Sequence, residues 1–214
     1  MYGIVEIELK QYNGKAMISL STKSKKGMII DVQPLRTADE IEEFREAIQV
    51  ASSKPYVKRN LLLFNIGINT GLRIGDIITL RIEDVKGRTS LAISEGKTDK
   101  KRIINLAHLM AEISDYIESI GEPTEGWLFP SRKGDNHIST TQAYRILTTA
   151  AESIGRDDIG THTLRKTFGY HYYRQYNDLV MLSDIFNHSS QAITRRYIGI
   201  RADEINNSLR EFKL

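Results

Sequence analysis

Residues Thr161–Tyr173 read THTLRKTFGYHYY, and Phe186–Tyr197 read FNHSSQAITRRY. The first stretch sets His162 and Arg165 three apart at the start of a predicted helix, a spacing that puts both on one face. A helix start also leaves backbone N–H groups without intrahelical partners, which favours an anion nearby. The second stretch sets His188 after a short apolar helix, with Tyr197 behind the pair Arg195 and Arg196. Upstream, NTGLRIGD (Asn69–Asp76) puts Arg73 just past a glycine, and GKTDKKRIINL (Gly96–Leu106) puts Lys97 in a polar turn. Together these residues suit a cationic pocket for one phosphate with a phenol beside it.

Taken singly, each has an ordinary reading as well. His162 and Arg165 fit surface caps or ion pairs, and Arg73 with Asp76 fits a helix-start ion pair. Arginine's planar fork also suits two phosphate oxygens at once, and Gly71 permits the tight turn before it. Asp76 would then fasten its helix or orient an arginine. Lys97 shares its turn with Lys100 and Lys101, as a solvated loop would. Tyr197 is one of ten tyrosines, and most such rings pack in a core. Only the order of all these residues along the chain separates the two readings.

A length of 214 residues predicts one domain, or one with a small appendage. The 40% hydrophobic and 27% charged content suits an ordinary core. A net charge of +3 permits a nucleic-acid partner without establishing one. The absence of cysteine excludes disulfides, thiolate catalysis and cysteine-ligated zinc. The start, MYGIVEIELK, lacks a signal-peptide layout, and no apolar run reaches membrane-spanning length. A soluble cytoplasmic protein is expected.

Val5, Ile7 and Leu9 alternate, as do Ile18 and Leu20, with Asn13-Gly14 as the turn of a strand pair. Lys23–Gly27 separates this piece from a helical body. Thr37 and Glu40 form a capping-box pattern opening a helix to about Ala51. Further helices are predicted over 57–68, 74–80, 110–120, 139–154, 162–173, 179–186, 191–197 and 203–212, and strands over 84–94 and 102–106. The fold class is mainly α with a small antiparallel β-sheet (α+β). Residues 1–32 form a short β-rich N-terminal arm or remnant.

The motif residues resemble the catalytic domain of the tyrosine recombinases, the phage integrase family. The match runs from about Pro34 to Ile198, through PLRTADEIEEF and the four stretches quoted above, so residues 33–214 are expected to form that domain. The family pattern is arginine, lysine, histidine-x-x-arginine, histidine or tryptophan, then tyrosine, and every member is present in order. The resemblance implies that Arg73 and Arg165 clamp the scissile phosphate of double-stranded DNA, and that His188 donates a hydrogen bond to it. Tyr197 would attack phosphorus to form a 3′-phosphotyrosyl link, with Lys97 protonating the departing 5′ oxygen and His162 assisting proton transfer at the nucleophile. Asp76 matches the acidic position that follows the first arginine. Neither cofactor nor metal is implied, and the expected assembly is a tetramer on synapsed sites from monomers free in solution.

Three departures stand out. Family members usually carry a helical DNA-binding domain ahead of the catalytic one, whereas about thirty strand-like residues precede the match here. A fragment of a longer protein and a minimal recombinase both predict weak DNA affinity, since fewer phosphates are contacted. Asn187 stands where glycine is common before the histidine, and Lys166 follows Arg165 where histidine or arginine is frequent. Past Tyr197, Ile205, Leu209 and Phe212 give one apolar helix face, to dock on its own core or on a neighbouring protomer. Competing functions are an integrase-derived DNA-binding protein without activity and a type IB topoisomerase-like enzyme. Replacing Arg165 by alanine is expected to slow cleavage while leaving the fold mostly intact.

Overall fold

Thr37 opens the helical body: its hydroxyl accepts the Glu40 N–H at 3.1 Å, and α1 runs over Ala38–Ala51. The other half of the expected capping box is displaced. The Glu40 carboxylate accepts instead from the Arg36 N–H at 2.9 Å and from the Arg156 guanidinium at 3.3 Å, tying the helix start to a distant loop. The structure, a computed structural model, describes residues 6–12, 15–21, 32–94, 96, 101–132, 134–200, 209–210 and 212–213.

The chain divides into two units, Met1–Asp31 and Val32–Leu214. In the first, β1 (Glu6–Tyr12) and β2 (Lys15–Ser21) pair antiparallel, from Glu6 opposite Ser21 to Tyr12 opposite Lys15. This is the strand pair expected on either side of Asn13-Gly14.

In the second unit, α2 (Val57–Thr70) is the central helix and α7 (Thr161–Tyr176) packs on it. A methyl group added at Gly67 would fall 2.5 Å from Leu164 Cδ1, so the bare glycine permits the close crossing. Gly71 ends α2 in the left-handed region at φ +63, and α3 (Ile74–Ile78) follows at once.

The strand expected over 84–94 begins too early in that reading. Ile82–Val85 is a helical turn, α4, because Ile82 and Val85, three apart, are both buried on one side. Glu83 fixes this turn by pairing with Arg81 and accepting the Gly126 N–H at 2.9 Å. Only Ser90–Ser94 is strand β3, antiparallel to β4 (Lys101–Asn105). Helix α5 (Met110–Ser119) follows, and α6 (Thr140–Ser153) opens on a full capping box. There Ser139 Oγ accepts the Gln142 N–H at 3.1 Å, and Gln142 accepts the Ser139 N–H at 2.9 Å.

Helix α2 serves two cores. Leu62, Leu63 and Ile66 pack with Ile77, Ile104, Ile113 and Phe129, while Phe64 packs with Phe44, Ile48 and Leu147. A third cluster joins α8 (Leu179–Phe186) to the end of α9 (Gln191–Tyr197) through Leu182, Phe186 and Ile198. The architecture is mainly helical with small antiparallel strand pairs, the class read from the sequence. Most of the helix expected over 203–212 lies outside the described residues, Ile205 included; Leu209 and Phe212 are exposed. No helix among the described residues is long and apolar enough to cross a membrane.

Candidate active site

Gly71 sets the geometry on which the site is built. Its left-handed turn places Arg73 immediately ahead of α3 and aims its own carbonyl at α7. That carbonyl accepts from Arg165 Nη1 at 2.5 Å, and the Phe186 carbonyl at the end of α8 accepts from Nη2 at 2.9 Å. The guanidinium also lies 4.3 Å from the Phe186 ring centroid. Each terminal nitrogen carries two N–H bonds, so this anchoring is compatible with presenting another to an anion. Arg165 is only 3% exposed, which makes it structural as well. Its replacement therefore carries a stability cost that the sequence reading leaves out.

His162 stands one turn earlier on α7 and is exposed. It lines, with Arg73, Asp76, Gly96 and Arg165, an open cleft of about 760 Å³ between α3, the β3–β4 hairpin and the start of α7. Asp76 spans this cleft, accepting the Gly96 N–H on Oδ1 at 3.1 Å, while its buried Oδ2 has no hydrogen-bond partner among the described residues. Lys97, next along that turn, lies outside the described residues.

Asn187 supplies what glycine commonly would before the histidine. It caps α8 at φ 51, ψ 46, a left-handed conformation that asparagine tolerates better than other residues with side chains. The turn lets the His188 N–H reach the Ser183 carbonyl at 3.0 Å. A β-branched residue there should cost roughly 1–2 kcal/mol, the usual penalty for that conformation. Denaturant unfolding should therefore show Asn187→Val less stable than wild type and Asn187→Gly close to it. Equal stability of all three would contradict this role for the turn.

His188 is half-buried, its Nδ1 2.9 Å from Thr194 Oγ1. Burial first, and then the charges of Arg165 and Arg73, hold its imidazolium below the usual histidine range. Tyr197, at the end of α9, is ringed edge-on by His188, Phe186 and His162, at centroid distances of 5.2, 5.7 and 6.2 Å. The Lys166 ammonium lies 5.6 Å from the same ring. His162 Nδ1 is 3.0 Å from the phenolic oxygen. Burial pushes the phenol up to about 12, against the opposing pull of Arg165 and Arg73.

The fold thus gathers Arg73, His162, Arg165, His188 and Tyr197 in one region. A phenol so high is protonated at neutral pH, and an imidazole nitrogen stands at hydrogen-bond distance from its oxygen. Two guanidinium groups close enough to act on the phenol and on His188 make the region attractive to an anion. Sequence reasoning missed the anchoring carbonyls of Gly71 and Phe186, the ring of Phe186, and Thr194 behind His188. Backbone carbonyls leave no mark in a sequence, and a threonine six residues past a histidine carries no signal of its own.

Known proteins resemble this chain in sequence and in fold. A probable integrase/recombinase, YoeC, of Bacillus subtilis (strain 168) is 45% identical over 173 residues, covering 80% of this chain and 92% of that protein. A tyrosine recombinase of Pseudothermotoga lettingae is 30% identical over 179 residues, covering 80% of this chain and 59% of its relative. Among solved structures, XerH site-specific recombinase bound to palindromic difH substrate, a post-cleavage complex, superposes with a TM-score of 0.65 at 22% identity. It matches 86% of this chain but 54% of its own. The family model described as "Phage integrase family" matches residues 36–204, a span that holds Arg73, Asp76, Lys97, His162, Arg165, His188 and Tyr197. On that match, and on a 45% identical relative covered almost end to end, this chain belongs to the phage integrase family.

Proposed function

We propose that the protein is a cytoplasmic site-specific recombinase that cuts and rejoins double-stranded DNA through a 3′-phosphotyrosyl intermediate on Tyr197. The observation that carries this reading is the convergence of one phenol with two imidazoles and two guanidinium groups, His162 Nδ1 standing 3.0 Å from the phenolic oxygen. Arg73 and Arg165 bind the non-bridging oxygens of the scissile phosphate, and their charge counts most as negative charge builds in the transition state. His188 donates to the same phosphate. His162 accepts the Tyr197 proton as the oxygen attacks phosphorus, and Lys97 protonates the departing 5′ oxygen. Attack forms the Tyr197 O–P bond and breaks the bond to the 5′ oxygen. The reverse displacement by a 5′-hydroxyl reseals the strand with the phosphodiester's energy conserved.

Residues 33–214 act as the catalytic domain in this reading, and four copies assemble on synapsed sites from monomers free in solution. The lambda integrase (residues 75-356) bound to DNA, which shares this fold at a TM-score of 0.58, supports a DNA partner in this reading. Leu209 and Phe212 are exposed, and in this reading these two side chains meet a neighbour.

The test is a duplex nicked beside the cleavage site, from which the cut fragment diffuses away. The wild-type protein should accumulate a denaturation-resistant adduct. DNA binding with no adduct would favour an integrase-derived binding protein, and supercoil relaxation without exchange between two sites would favour topoisomerase-like activity. Lys97→Ala should lose most cleavage on ordinary DNA and recover it on DNA with sulfur in place of the 5′ bridging oxygen, a leaving group that needs no proton. Failure of the sulfur substrate to restore the rate would exclude Lys97 as the acid.

A further inference from the structure

Behind His188 runs a line of hydroxyls that the proposed reaction does not use. Thr194 Oγ1 lies 2.9 Å from His188 Nδ1 and 2.9 Å from Ser183 Oγ, and Ser183 Oγ donates to the Leu179 carbonyl at 2.6 Å. Thr194 is 0% and Ser183 6% exposed, so both hydroxyls are closed off from bulk water. Each hydroxyl has one proton to give. Ser183 gives its proton to a carbonyl, which can only accept. Thr194 then gives its proton to Ser183, its other acceptor, the Ser190 carbonyl, being 3.4 Å away. What Thr194 offers His188 is a lone pair, so Nδ1 must bring the hydrogen. The reverse assignment would set the Thr194 and Ser183 oxygens face to face at 2.9 Å with no hydrogen between them.

We propose that Thr194, backed by Ser183, is a positioning residue that fixes His188 as its Nδ1–H tautomer. Nε2 is then the nitrogen left for the phosphate, and it donates there only once His188 has gained a proton; this last part rests on the recombinase reading above. Among the described residues, the titratable and charged groups facing His188 are Arg73 at the start of α3, Arg165 on α7 and Tyr197 on α9, with His162 beyond the phenol. Burial first, and then the charges of the two arginines, opposes protonation in the empty site. A DNA phosphate between the arginines offsets their share and gives a charged Nε2–H its acceptor, so in this proposal His188 takes up its proton with substrate.

Ring nitrogen chemical shifts of the full chain, labelled with ¹⁵N-histidine, test this without any DNA. Neutral His188 should show a protonated Nδ1 and a bare Nε2. Thr194→Val should move it towards the Nε2–H form, Thr194→Ser should keep the wild-type form, and Ser183→Ala should weaken the preference by releasing the Thr194 proton. A wild-type ring in the Nε2–H form overturns the assignment, whether or not the protein cleaves. In a complex of Tyr197→Phe with uncleaved duplex, both nitrogens should carry protons, and a neutral ring there overturns the donor role. Thr194→Val should slow adduct formation about tenfold, the rate equivalent of one lost hydrogen bond. The same change on top of His188→Gln should add nothing, and a full additional loss would mean that Thr194 does not act through His188.

Discussion

Tyr197→Phe should abolish the covalent adduct on nicked DNA while leaving the fold and DNA binding in place. The change removes one oxygen, and that oxygen is the proposed nucleophile, so no slower version of the same step remains. The ring keeps its packing among His188, Phe186 and His162. The lost hydrogen bond to the exposed His162 is worth about 0.5–1.5 kcal/mol at most. Burying an apolar edge in place of a phenol offsets part of that cost. A denaturing gel reads the adduct directly, and a mobility shift on intact duplex shows that binding survives. Adduct formation by the variant at the wild-type rate would move the nucleophile elsewhere, with Tyr170, Tyr172, Tyr173 and Tyr176 on α7 the first to examine.

Arg165→Ala should lose on two fronts that can be measured separately. In cleavage, removing a preorganised donor to a transition-state oxyanion costs roughly 3–4 kcal/mol, or about 10²–10³ in rate. In stability, the carbonyls of Gly71 and Phe186 lose their donor inside a buried site, each at a cost of about 1–3 kcal/mol. Single-turnover cleavage measured well below the variant's melting point isolates the first effect, and thermal unfolding reports the second. Arg165→Lys keeps the charge but not the two-armed anchor, so it should recover little of either. An unchanged cleavage rate in folded Arg165→Ala would remove it from the phosphate site. An unchanged melting temperature would show that the two carbonyls find other donors.

Much of the fold was legible locally. The Ser139–Gln142 box, the Gly71 stop and the alternation around Asn13-Gly14 are all decided by neighbours within four residues, and each element formed where those signals stood. The error over 84–94 has a local cause too: Ile82 and Val85 follow a helical period too short to stand out beside a strand. The site was legible in a different way. His162 and Arg165 share a helix, yet one is exposed and the other buried, because α8 closes over Arg165 and leaves His162 at the cleft.

The order of arginine, histidine-x-x-arginine, histidine and tyrosine is a property of the chain, as are the helix caps and the alternating strands, because each depends on side-chain identity and short spacing. Which nitrogen or oxygen faces which partner is not. The 3.0 Å approach of His162 to Tyr197, the clamp of Gly71 and Phe186 on Arg165, and the hydroxyls behind His188 join residues up to 94 positions apart. Such contacts exist only once α7, α8 and α9 have packed, since burial and directional hydrogen bonds are set by the assembled surfaces.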